Sequence, residues 1–113
     1  MINLEQRDIA LVNFPFSNQI QVKFRPVVII SNNSYNKSSD DLLCIAVSSV
    51  GNENNYNLSL KNNDLVSGNL KEESKIKCDT ITLIEKELFK KKIGTVTPAI
   101  FEKVKERINA LIS

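Results

Sequence analysis

The 113-residue sequence contains no histidine, and that absence removes a large part of enzyme chemistry. Histidine is the side chain that titrates nearest neutral pH, so the commonest acid/base group and the Ser-His-Asp arrangement are both excluded. Cysteine is scarce as well. Cys44 and Cys78 stand far apart with no CxxC spacing, so a zinc site has no support and no metal is expected. Each cysteine lies inside an apolar, strand-like run, which predicts two buried free thiols. The three glycines form neither GxxxxGK[ST] nor GxGxxG, so no nucleotide-phosphate cradle and no cofactor is expected. Long hydrophobic runs are missing too. No segment approaches the roughly 20 apolar residues that span a bilayer, and no apolar signal stretch opens the chain. The expectation is a cytoplasmic protein with no membrane partner.

What is present is ordinary globular composition, 42% hydrophobic and 25% charged, in a length that suits one domain over residues 1–113. A domain this small is marginally stable alone, and pairing with a second copy suits it. The formal net charge is only +2, so a nucleic-acid site would have to be a local cluster of positive charge. The charge is unevenly spread: residues 1–60 carry four Lys/Arg and residues 61–113 carry eleven, interleaved with eight acids.

The hydrophobic pattern predicts strands at 8–14, 25–30, 42–47, 55–60, 75–84 and 92–96. The run Arg25-Pro26-Val27-Val28-Ile29-Ile30 is apolar on both faces and predicts a central buried strand, with Pro26 at its first position. Segments 31–40 and 65–73 are rich in turn formers and predict loops. A short helical turn is expected at 85–89. Thr97 is then an N-cap with Pro98 at the first helical position, and Phe101, Val104, Ile108, Leu111 and Ile112 recur at helical spacing. Several short strands with one terminal amphipathic helix predict a mainly β fold, a small antiparallel barrel with a C-terminal α-helix.

Chemistry must come from what remains, an arginine at the start of one buried strand and hydroxyls at the end of another. Arg25 presents a planar fork that can grip two phosphate oxygens, or it forms a structural ion pair at the sheet edge. Ser48 and Ser49 follow an apolar run; their hydroxyls donate to a phosphoryl oxygen or shape a turn. Phe14, Phe16 and Phe24 surround the polar stretch Ser17–Lys23, suited either to stacking on splayed bases or to core packing. Lys90-Lys91-Lys92 attracts phosphates or forms a solvated turn. Asp79 interrupts a strand with buried-looking neighbours, either as a structural acceptor or as a group that orients Arg25.

Taken in order, these segments resemble the MazF/PemK family of toxin–antitoxin ribonucleases almost end to end. Asp8-Ile9-Ala10-Leu11-Val12-Asn13-Phe14-Pro15-Phe16 looks like the family's first strand. Arg25-Pro26-Val27-Val28-Ile29-Ile30-Ser31 is similar to its Arg-Pro motif. Cys44-Ile45-Ala46-Val47-Ser48-Ser49, Cys78-Asp79 and Lys92-Ile93-Gly94-Thr95-Val96-Thr97-Pro98 match further family segments. The resemblance implies an SH3-like, plasmid-toxin-type barrel, a homodimer, a cognate antitoxin whose peptide covers the RNA groove, and endoribonuclease activity on single-stranded RNA. It implies Arg25 and Ser48 as the catalytic pair. Phe16, Ser17, Lys23, Phe24, Ser49 and Asp79 are the residues expected to bind RNA.

Three departures from the family pattern stand out. The stretch before Arg25 lacks the glycines and the acidic residue often found there. Arg7 occupies a position that is commonly glycine. Ser48 replaces the usual threonine, keeping the hydroxyl but loosening its rotamer. Two other classes of function compete: a catalytically inactive relative that binds RNA or antitoxin, and a toxin that acts on DNA gyrase by protein contact.

Overall fold

The computed structural model describes residues 2–14, 23–49 and 54–113. Seven strands form one antiparallel sheet, β1 (Asp8–Phe14), β2 (Lys23–Ile29), β3 (Asp41–Ser48), β4 (Asn57–Leu60), β5 (Leu65–Gly68), β6 (Ser74–Glu85) and β7 (Phe89–Val96). Their order across the sheet is β4-β6-β3-β2-β1-β7-β5. A six-residue helix, α1 (Asn33–Ser38), links β2 to β3, and α2 (Pro98–Ile112) ends the chain. The fold is mainly β with a C-terminal helix, as the sequence pattern predicts.

The alternation of side chains along each strand divides the apolar residues into two cores, one on each face of the curled sheet. Ile9, Val28, Ile45, Val47, Leu58, Leu60, Ile76 and Cys78 pack beneath Ile100, Phe101 and Val104 of α2. Ala10, Val12, Val27, Ile29, Leu42, Cys44, Ile84 and Phe89 form the other cluster, covered by Ile2, Leu4 and Leu88. β2 and β3 supply residues to both, which is why their sequences are apolar at nearly every position. Cys44 and Cys78 are free and buried. Burial pushes their thiols up to about 12 and about 11.

Four elements differ from the expectation. Pro26 is the fourth residue of β2 rather than the first, opposite Leu11 of β1. The ladder from β2 to β3 is registered only from Val27 onward, so Pro26 interrupts no pairing on that side. Residues 33–38, expected as loop, form α1. Asn32 caps it by accepting from the Tyr35 backbone N–H at 2.8 Å. Buried Asn36 locks it, exchanging hydrogen bonds with the Ser31 hydroxyl and carbonyl. Residues 65–68, also expected as loop, pair with β7 as β5. Gly68 has φ +92° there, and a Cβ on it would meet the Ile93 carbonyl oxygen at 2.2 Å. β7 begins three residues before the expected 92, at Phe89, because that side chain fills the second core.

Candidate active site

β2 and β3 bring Arg25 and Ser48 together. Val27 pairs with Ala46, Val28 with Ile45 and Ile29 with Cys44. Carried two residues toward the strand ends, this antiparallel register sets Arg25 opposite Ser48. Arg25 shares its face with Val12, its partner on β1, and with Val27 and Ile29. Ser48 shares the same face with Cys44 and Leu42 by alternation. The two residues are thus the polar continuation of an otherwise apolar face, placed where the strands run out of the core. Both are half-buried.

A groove of about 710 Å³ runs along this end of the sheet, lined by Lys23, Phe24, Arg25, Ser48 and Ser49. The 69–74 segment forms one wall, including Lys71 and Glu72, while Lys91, Lys92 and Ile93 of β7 form another. Among the described residues, five basic side chains, Lys23, Arg25, Lys71, Lys91 and Lys92, line the groove against one acid, Glu72. This is the local concentration of positive charge that a chain of net charge +2 needs if it is to hold a polyanion. Lys92 is fixed by an ion pair with buried Asp8 at 3.2 Å, and Asp8 also accepts from the Thr95 hydroxyl at 2.8 Å. Phe24, 40% exposed, carries the Lys90 ammonium 4.2 Å from its ring centroid.

Of the other sequence candidates, Phe16 and Ser17 lie outside the described residues. Asp79 lies outside the groove lining. It is exposed, accepts from the Asn54 side-chain amide at 3.4 Å, and sits where the β3–β6 register slips between Ile45↔Ile81 and Ala46↔Lys77. The Lys71–Glu72 wall carried no signal in the sequence beyond its loop composition. The roles of Lys91 and Lys92 depend on β7 lying beside β1, a pairing between opposite ends of the chain. Among the described residues, no three Cys, Asp or Glu side chains gather so as to hold a metal ion. Nor is any helix there long and apolar enough to cross a membrane.

No curated protein matches the chain by sequence. Solved structures do match it in fold. An endoribonuclease from a mycobacterial species, seen with its cognate antitoxin, superposes with TM-score 0.78 at 16% identity, covering 97% of this chain and 95% of that one. The toxin MazF-mt6 of Mycobacterium tuberculosis gives 0.76 at 18% identity, covering 94% and 96%. MazF in a MazE–MazF complex of Deinococcus radiodurans gives 0.78 at 15% identity, covering 96% and 95%. Identities this low establish the shared fold alone. The sequence itself matches the PemK-like, MazF-like toxins of type II toxin–antitoxin systems over residues 5–112, and the chain belongs to that family.

Proposed function

We propose that this toxin is an endoribonuclease that cuts single-stranded RNA at Arg25 and Ser48, with no metal in the reaction. The observation that carries this reading is the placement of an arginine and a hydroxyl on one face at adjacent strand ends, beside a groove whose charged lining is mostly basic. The RNA's own 2′-hydroxyl attacks the adjacent phosphorus, leaving a 2′,3′-cyclic phosphate and a 5′-hydroxyl. The protein's task is to hold one nucleotide splayed for in-line attack and to stabilise charge on the phosphoryl oxygens. Arg25 supplies a charge-assisted, bidentate contact and Ser48 a further donor. A guanidinium stays protonated at any working pH, so Arg25 stabilises charge rather than carrying the proton. On this reading Phe24, at the groove, stacks on a splayed base, and Lys23 and Ser49 contact the backbone near it. Cutting mRNA in this way blocks translation and growth.

The partners follow the same reading. The cognate antitoxin seen with the mycobacterial relative, and the MazE bound in the Deinococcus structure, have their counterpart here in a cognate antitoxin whose peptide occupies the groove. The toxin itself is a homodimer. Ile81 and Leu83 of β6 are 41% and 53% exposed, an apolar strip that pairing with a second copy covers.

The test is incubation of purified, antitoxin-free protein with mixed-sequence single-stranded RNA in excess EDTA, followed by mapping of the cut ends. Discrete cuts with cyclic-phosphate and 5′-hydroxyl ends are expected. Arg25→Ala should lower the rate by on the order of 10²–10³ or more while the fold is kept. Ser48→Ala should slow cleavage more than it weakens RNA binding. Intact RNA with the folded wild-type protein would falsify the ribonuclease reading and leave binding or gyrase contact in its place.

A further inference from the structure

The face that carries Arg25 and Ser48 does not stop at β3. Ser48 pairs with Lys75 of β6, and Lys75 pairs in turn with Ser59 of β4. Residues directly opposite one another in antiparallel strands project to the same side. Arg25, Ser48, Lys75 and Ser59 therefore stand in one row across four neighbouring strands. Two residues along β6, Lys77 lies opposite Ala46 and Asn57 and adds a second ammonium to that face. The intervening Ile76 and Cys78 point the other way, into the core under α2. The alternation Lys-Ile-Lys-Cys thus fixes which side both lysines occupy. Lys75 and Lys77 are half-buried, so their stems lie along the sheet rather than trailing in solvent.

Neighbouring strands are about 4.8 Å apart, so Arg25 and Lys75 are separated by roughly 10 Å of backbone, with Ser48 between them. Two long basic side chains at that spacing can hold successive phosphates of one extended strand. We propose that Lys75 grips the phosphate next to the one being cleaved, so that the RNA crosses the strands from β2 toward β4. The contact is to backbone, which sets the register of the RNA over Arg25 without selecting a base. The proposal rests on the ribonuclease reading of Arg25 and Ser48 and adds the direction in which the substrate lies.

The probe is an RNA oligonucleotide that the protein cuts, 2′-O-methylated at the cut nucleotide so that the attacking hydroxyl is blocked and binding alone is read. Each single-strand phosphate contact contributes about 0.7 to the slope of log affinity against log salt. Lys75→Gln should flatten that slope by about 0.7, a loss of about fivefold in affinity at 0.1 M salt that closes toward 1 M. Lys75→Met should do the same while keeping the stem against β3 and β4, and covers the case in which the glutamine variant fails to fold. Lys75→Arg should keep the wild-type slope. Lys103→Gln, on the exposed side of α2, should leave slope and cleavage unchanged. An unchanged slope in both neutral variants, with wild-type cleavage intact, overturns this proposal and spares the ribonuclease reading. Wild-type protein that cuts no RNA overturns both. A flattened slope in Lys71→Gln with none at Lys75 runs the RNA along the 69–74 wall instead, and overturns the proposal as well.

Discussion

Arg7 holds a left-handed backbone, φ 79°, at the point where the chain enters β1. Its N–H donates to the Ile29 carbonyl at 2.8 Å, and its carbonyl accepts from Val96 N–H at 3.0 Å. Its guanidinium donates to the Val96 carbonyl at 3.0 Å. The residue thus ties the start of β1 to the ends of β2 and β7. A family position that is commonly glycine is explained by that φ, and the arginine offsets its steric cost with a side-chain hydrogen bond glycine cannot make. Arg7→Ala removes the bond and keeps the strain, whereas Arg7→Gly removes both. The glycine variant should therefore be more stable than the alanine variant by about 1 kcal/mol in denaturant titration; the reverse order would contradict the strain. The buried thiols make a second residue-scale case. With Cys44 raised from 9.0 to about 12 by burial, the folded state keeps a proton that the unfolded chain gives up above pH 9. Its stabilising contribution is complete below pH 9 and is lost as pH rises toward 12. The melting temperature should fall from pH 9 to pH 11, less steeply in Cys44→Ala. Neither thiol should react with a disulfide reagent at pH 8 until the protein is denatured.

At the scale of elements, α2 is the piece whose local signals and tertiary role agree most closely. The Thr97 hydroxyl accepts from Ile100 N–H at 3.2 Å, Pro98 opens the first turn, and Ile100, Phe101 and Val104 are buried against the sheet. Thr97→Ala should cost about 1 kcal/mol, a lowering of about 4 °C in thermal melting, with cleavage unaffected. β6 and α2 were legible in the sequence because each buries one face, which writes a period of 2 or 3.6 into the residues, whereas β1 and β3 feed both cores and were legible as short continuous apolar runs. α1 was not, since its one buried side chain is Asn36 and its stability comes from hydrogen bonds to Ser31. β5 was not, because Val66 and Ser67 are exposed at the edge of the sheet and only the ladder to β7 makes them a strand. Arg25 and Ser48 were visible as polar residues at the ends of apolar runs. Lys91 and Lys92 looked like a solvated run, and only the β1–β7 pairing makes them a wall of the groove.

For the whole molecule, the sheet order leaves one conspicuous surface. β4 pairs with β6 only through residues 74–77, while residues 81–85 of β6 pair with β3 alone among the described residues. The outer stretch Thr80-Ile81-Thr82-Leu83 is exposed throughout and β-branched at three of its four positions, a composition that favours further pairing. Leu83→Glu should convert a dimer to a monomer in size-exclusion chromatography at micromolar concentration, with the far-UV spectrum unchanged. A wild-type protein that elutes as a monomer would refute the homodimer.

The position of β7 has a consequence for the protein's own synthesis. The strand that completes the sheet beside β1, and that supplies Lys91 and Lys92 to the groove, is the last strand to be made. At about 5–20 residues per second, roughly 4–16 s pass between translation of Asp8 and of Phe89. Once Ser48 has been made, Arg25 and Ser48 both exist as residues, but until β7 follows, β1 has no neighbour beyond β2 and one basic wall of the groove is missing. On the ribonuclease reading, a toxin assembled in this order has no complete groove with which to cut its own message until β7 has been made. Chains that stop short of β7 lack that wall of the groove.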